Sequence, residues 1–396
     1  MNVKAILLQS NLLFKISLNK MNKKLFSIGI ACMILISACK KDEINAPLEI
    51  PSAYDGTNFN ANTVTQRAVL SQLKDLTDEA KRGRDASNVV QLSTLEQLFN
   101  AGNPSLSAVI TNYFKNRMEG LGGIMDELAK SSGATWIPAP PNGANQGGTY
   151  GGYLFDEFGV EQEQLLEKGQ FGATLYNHAV SLMSGTITPA TVDQLVAIFG
   201  AKPAFVNSGS NNVAADVRDS YMANYAARRD KNDGKGMYSQ IRQSFIILQA
   251  AVKAGPEYNA DRDAALKRIQ ILWERINAAT IINYCHSPIS RLSGTAPTDN
   301  DKGAALHAIG EGIGFIQGFK TINPAYRKIT DAQIDEILLL FNAPSGGTAS
   351  VYQYVLDPAT HLPKLQQAIT KLQAIYGFSA QEIEDFKSNW VVVQNR

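Results

Sequence analysis

Apolar residues recur along most of this chain at the spacing of a helix face. Val69, Leu73, Leu76 and Ala80 follow one another at four, three and four residues, which places all four on one side of an α-helix. Met237, Tyr238, Ile241, Phe245, Leu248 and Val252 form a second stripe, closed by Gly255-Pro256, a common way to stop a helix. Residues 105–130 predict one longer helix, and residues 261–284, rich in Leu, Ile and Trp273, predict another. Thr188-Pro189 is a helix start, with Thr as N-cap and Pro in the first turn. Thr330-x-x-Gln333 and Ser379-x-x-Glu382 are capping boxes. Stripes follow each: Ile334, Ile337, Leu338 and Phe341, then Ile383, Phe386 and Trp390. Between them Leu365, Ile369, Leu372 and Tyr376 run up to Gly377. Strand-like sequence is confined to Val391-Val392-Val393, and no fixed-period repeat recurs. The pattern predicts an all-α fold, with helices packed in one or two bundles.

Two stretches break the pattern. Residues 136–152 hold Pro138, Pro140, Pro141 and several glycines, which predicts a long loop or a subdomain boundary near 131–155. The aromatics around it, Trp136, Tyr150, Tyr153 and Phe155, either line a binding surface or pin the loop to the body. Residues 40–60, with Pro47, Pro51 and small polar side chains, predict a flexible tether ahead of a helical domain over 61–396. The Asp230-Lys-Asn232-Asp233-Gly234 run hints at a calcium loop. Its glycine comes one place early and Ile241 stands where the last acidic ligand belongs, so it reads as a solvated turn.

The N-terminus reads as a targeting segment. Met21 precedes Asn22, Lys23 and Lys24, an apolar run follows over 25–36, and the run ends in Ile36-Ser37-Ala38-Cys39. The run is short of the roughly 20 residues a membrane span needs and suits a signal peptide. The final tetrad resembles the lipobox of bacterial lipoproteins, which makes Cys39 the lipidation site, residues 1–39 the signal and Met21 the expected start. Lys40-Lys41-Asp42-Glu43 resembles the export tag of surface lipoproteins in the Bacteroidota. The expected address is the outer membrane, lipid-anchored and facing the exterior.

Composition narrows the function. Lys and Arg number 37 against 36 Asp and Glu, without a long basic run, so nucleic acid is not an expected partner. Of the three cysteines, Cys32 leaves with the signal and Cys39 carries lipid, so Cys285 is alone and the mature chain has no internal disulfide. Cys285 adjoins His286 but reads as a buried core thiol. An aromatic fraction of 8% ranks a glycan-binding surface low.

Residues 303–320, GAALHAIGEGIGFIQGFK, carry the candidate chemistry. Leu306, Ile309, Ile313 and Ile316 make an apolar stripe, and Gly303, His307, Glu311, Gly314 and Gly318 lie together on a neighbouring face. His307 and Glu311 are one turn apart on the same side. Each helix glycine costs about 1 kcal/mol relative to alanine, so close approach of a second helix or of a ligand is expected there. Three roles stay open for the pair. An imidazole and a carboxylate at this spacing can share a transition metal, with a third ligand from Glu161, Glu163, His178, Glu274 or His286. The carboxylate can instead orient the imidazole for proton transfer, or the two can satisfy each other at a helix crossing. Residues 161–178, EQEQLLEKGQFGATLYNH, hold Gly169, Gly172 and Ala173, which predict tight packing.

Tyr54-Asp55-Gly56, Glu167-Lys168-Gly169-x-x-Gly172-Ala173, Leu306-His307-Ala308 and Glu311-Gly312-x-Gly314-Phe315, after a lipoprotein start, resemble a Bacteroidota lipoprotein family, domain of unknown function 4856. That resemblance implies an envelope address and a helical fold, and carries no established activity. A more distant one is to imelysin-like proteins, which are helical, envelope-bound, linked to iron uptake and grouped with metallopeptidases. Their hallmark is Gly-x-His-x-x-Glu; here Ala305 takes the glycine position and Glu311 stands four residues after His307. That likeness makes His307 and Glu311 the matching ligand pair. Three functions follow as expectations: a surface module binding an iron- or haem-related small ligand or supporting an outer-membrane receptor, a metal-dependent hydrolase, or a structural envelope scaffold.

Overall fold

The computed structural model describes residues 46–396. The signal over 1–39, Cys39 and the Lys40-to-Glu43 run lie outside the described residues.

Among the described residues helices dominate the regular structure, with one two-stranded hairpin beside them. The helices longer than one turn are α1 (Val64–Lys81), α2 (Leu92–Asn100), α3 (Asn112–Met118), α4 (Ile124–Ser131), α5 (Gln162–Gln170), α6 (Asn177–Met183), α7 (Pro189–Phe199), α8 (Tyr221–Arg229), α9 (Met237–Ala254), α10 (Asn259–Leu292), α11 (Asp299–Gln317), α12 (Asp331–Leu340), α13 (Pro358–Tyr376) and α14 (Ala380–Asp385). The strands β1 (Gly147–Tyr150) and β2 (Tyr153–Asp156) pair antiparallel.

Helix α10 is the central post. It spans 34 residues and packs against α8, α9, α11 and α13. Its buried residues include Ile269, Trp273, Ile276, Ala279 and Ile282, which lie on several sides of the helix. A helix with neighbours on several faces needs no single apolar stripe. Helix α11 is covered in turn by α5. Pro47–Arg396 is one compact unit, and the 131–155 stretch lies within it. No helix among the described residues is long and apolar enough to cross a membrane.

The capping signals stand where the sequence puts them. Thr188, Thr330 and Ser379 each accept the N3 backbone N–H of the helix they start, and Gly377 ends α13 in a left-handed conformation. Four expectations need correction. The expected single helix over 105–130 is three short ones, Leu106–Val109, α3 and α4. The last break falls at Gly120, Leu121, Gly122 and Gly123, where Gly120 and Gly122 have φ of +82° and +74°, a region that favours glycine. The proline-rich loop leads into the β1–β2 hairpin, which glycine-rich GGTYGG hid from a search for alternating apolar residues. The tether ends before residue 60: Tyr54 is buried and its hydroxyl donates to Asp193 Oδ1 at 2.5 Å. The turn between α8 and α9 is solvated as expected, with Asn232 to Lys235 exposed, while Asp230 at its start is buried and accepts from the Asn232 and Ser239 backbone N–H groups. Val391 to Val393 belong to a helical turn, Trp390–Val393.

Candidate functional site

Helices α5 and α11 approach more closely than most side chains allow. A Cβ on Gly314 would stand 2.7 Å from the Gln164 carbonyl oxygen, and one on Gly172 would stand 2.5 Å from the Gly318 carbonyl carbon. Gly303 meets the hairpin instead, where an added Cβ would lie 2.8 Å from Gly151 Cα. The small-residue face therefore seats both the partner helix and the hairpin. Between α5 and α6 the chain makes a six-residue π-helical turn, Phe171–Tyr176. Such insertions in a helix often lie at functional sites.

This close crossing places His307 among charges. Its Nδ1 lies 2.6 Å from Glu161 Oε2, and its Nε2 lies 3.4 Å from Glu311 Oε2. Tyr153 of the hairpin stacks on the imidazole, with ring centroids 4.3 Å apart and planes at 19°. Burial works against the imidazolium, but Glu161 and then Glu311 outweigh it and raise the His307 pKa. A proton on either ring nitrogen therefore faces a carboxylate.

The network extends in both directions. Arg84 reaches Glu161 at 3.1 Å and Glu163 at 2.5 Å, and its guanidinium lies 5.1 Å from the Tyr153 ring centroid. On the other side Lys168 Nζ lies 2.9 Å from Glu167 and 3.6 Å from Glu311. Glu311 also accepts from Tyr284 at 2.8 Å and Tyr225 at 3.5 Å. Burial opposes the Glu167 carboxylate, but Lys168 and Lys81 overcome it and hold the group down at about 2. Burial likewise opposes the Lys168 ammonium, and Glu167, Tyr225 and Glu311 keep it charged.

Of this network Arg84, Glu167, Lys168, Tyr225, His307 and Glu311 front a cavity of about 540 Å³ between α1, α5, α8 and α11. Two features of its wall point to a ligand. Gln164 is 1% exposed, its Nε2 donates to Glu163, and its Oε1 has no partner; the Thr77 hydroxyl is unpartnered too. Arg228, also in the wall, makes no ion pair or hydrogen bond among the described residues and lies over the Tyr225 ring at 4.8 Å. A buried amide oxygen left without a partner is unfavourable by about 1–3 kcal/mol unless something in the cavity satisfies it.

Of the five candidate third ligands, the structure brings one to His307. Glu161 sits on Nδ1, the nitrogen opposite the one facing Glu311, so the two carboxylates cannot share one ion with the ring. Glu163 serves Arg84. His178 pairs with Gln66. Glu274 accepts from the Lys328 and Ile329 backbone and the Tyr376 hydroxyl. His286 lines a separate cavity with Lys387 and Glu384. Among the described residues no three His, Cys, Asp or Glu side chains are placed to hold a metal ion. Between His307 Nε2 and Glu311 a cation would also meet the Lys168 ammonium. Cys285 is buried, and burial pushes its thiol pKa up, which makes it inert.

Sequence reasoning passed over Arg84, Gln164, Lys168, Tyr225, Arg228 and Tyr284. Lys168 carried a signal, a charged residue inside a small-residue helix face. The others come from separate helices and share no local pattern. No family model, no curated protein and no solved structure matches the chain.

Proposed function

We propose that this protein is a lipid-anchored binding module of the outer membrane, and that the cavity beside His307 and Glu311 holds a small anionic ligand. The unpaired Arg228, in the same preformed wall as Gln164 with its unpartnered oxygen, carries the reading. A guanidinium recognises carboxylate or phosphate groups through its fork of donors, and Gln164 and Thr77 select a ligand with hydroxyl or amine donors. The lipobox and the lipoprotein-family resemblance support the address. In an iron-acquisition role the matching cargo is an anionic ferric chelate such as ferric citrate, since the wall suits a charged chelate better than a bare ion. Haem is a poor fit, because both nitrogens of His307 face carboxylates and the wall is largely polar. A scaffold role leaves such a cavity without use.

Calorimetric titration with citrate, ferric citrate and inorganic phosphate tests this directly. Binding of at least one, weakened about tenfold or more by Arg228→Gln, supports the reading. Absence of heat from all three, with the protein folded, overturns it.

A second reading rests on the Glu161–His307 pair. A buried carboxylate on Nδ1 orients an imidazole for proton transfer at Nε2, so a metal-independent hydrolase remains the enzymatic form of this site. Turnover of ester or peptide substrates that His307→Asn abolishes would establish it over simple binding.

A further inference from the structure

A second cavity, of about 380 Å³, lies on another side of α5 and α11, under the loop holding Pro344 and Gly347. Four of its lining residues present buried side-chain atoms without hydrogen-bond partners: Arg117 Nε, Glu157 Oε2, Gln162 Oε1 and Gln317 Oε1. Gln317, the last residue of α11, is 3% exposed. The Gln162 amide has a fixed orientation, because its Nε2 donates to Asp156 Oδ2 at 2.6 Å. Asp156 is itself held by the Phe158 and Val160 N–H groups, each at 2.9 Å. The carbonyl end of Gln162 is therefore the end left free. Arg117 makes no ion pair or hydrogen bond among the described residues.

This wall differs in chemistry from the first. Its unpartnered atoms are three oxygen acceptors, one of them a carboxylate, and one guanidinium nitrogen; the other two carboxylates of the wall, Glu127 and Asp156, are taken up by Lys130 and by the Gln162 amide with the Phe158 and Val160 N–H groups. A bare divalent cation would suit the acceptors but not Arg117. A plain anion would suit Arg117 but leave three buried acceptors unsatisfied. An ammonium has three N–H donors for the three acceptors, and a carboxylate matches the guanidinium. We infer that this cavity binds a small zwitterion of the α-amino-acid class, its ammonium on Glu157, Gln162 and Gln317 and its carboxylate on Arg117. The volume lies in the range of small-ligand pockets. The site is separate from the cavity beside His307 and stands or falls without it.

The test is calorimetric titration of the purified protein with glycine, L-alanine, L-serine and L-leucine, and with calcium chloride. The expected result is binding of at least one amino acid with Kd below about 1 mM, and at least about tenfold weaker binding of its N-acetyl and methyl-ester derivatives. Arg117→Gln and Glu157→Gln, both at half-buried positions, are each expected to weaken binding about tenfold with the circular dichroism spectrum unchanged. Arg228→Gln is expected to leave it intact. No heat from any amino acid, a response to calcium alone, or binding that survives both Arg117→Gln and Glu157→Gln would overturn the assignment.

Discussion

At the scale of single residues, His307 is defined by what stands on either side of its ring. Glu161 is fully buried and Glu311 is nearly so, and each is tolerated because His307 together with Arg84 or Lys168 lies within ion-pair distance of it. His307→Ala removes the shared partner of both. The expected loss is about 2 kcal/mol of unfolding free energy, below the usual penalty for a broken buried pair because the imidazole is partly exposed and Arg84 and Lys168 remain; denaturant melts measure it. The pKa gives a second check. An NMR titration of the His307 ring should place its midpoint above the ordinary histidine value. Glu311→Gln should lower that midpoint, and Glu161→Gln should lower it further, because Glu161 is the stronger of the two influences. An unchanged midpoint in both variants would mean that the ring answers to solvent instead. Metal analysis of the dialysed protein should show no near-stoichiometric transition metal, since the second carboxylate sits on the wrong nitrogen.

At the scale of elements, the close crossing of α5 and α11 organises the site. Gly314→Ala raises helix propensity by about 1 kcal/mol but drives a methyl group against the Gln164 carbonyl oxygen. Overpacking of this kind costs about 1–3 kcal/mol, so the melting temperature is expected to fall. Gly294→Ala, at a position with nothing within 4 Å of the added carbon, should change stability by less than about 0.5 kcal/mol. The glycines of α11 were legible in the sequence because a run of poor helix formers inside a periodic pattern needs a compensating contact. The capping boxes were legible because they are local. The hairpin was not, since its first strand is half glycine and gains its place from Trp136, Phe155 and the Tyr150–Asp299 hydrogen bond. The π-helical turn was not legible either, because the sequence FGATLY reads as ordinary helix until its packing against Gly318 is known. The pairing of His307 with Glu311 could be read from spacing, whereas Glu161, 146 residues away from His307, could be named only as one of five candidates.

At the scale of the whole molecule, the buried charges set how stability varies with pH. Burial pushes the carboxyl groups of Asp156 and Asp219 up to about 7, outweighing the hydrogen bonds each accepts. Burial and the nearby Glu161 also raise Glu163, against the pull of Arg84. Between about pH 4 and 7 the folded chain holds protons on such groups that the unfolded chain has already released. Their contribution to stability therefore declines as pH rises through that window. His307 acts in the same direction: its raised pKa gives stability that is present below the unfolded value and lost as pH rises through the folded one. Glu167 acts in the opposite sense, since a carboxylate held at about 2 loses its stabilising effect as pH falls from its ordinary value. The two trends cross at mildly acidic pH. Scanning calorimetry from about pH 3 to 9 should show a maximum melting temperature near pH 5 and a decline toward pH 8. Glu167→Gln should flatten the acid limb while leaving the decline above pH 5 in place. A melting temperature that rises steadily from pH 5 to 8 would mean that these carboxyls are charged and solvated in the fold. The charged walls of both cavities would then be open to water, and neither would hold its ligand by the desolvated contacts assigned to it.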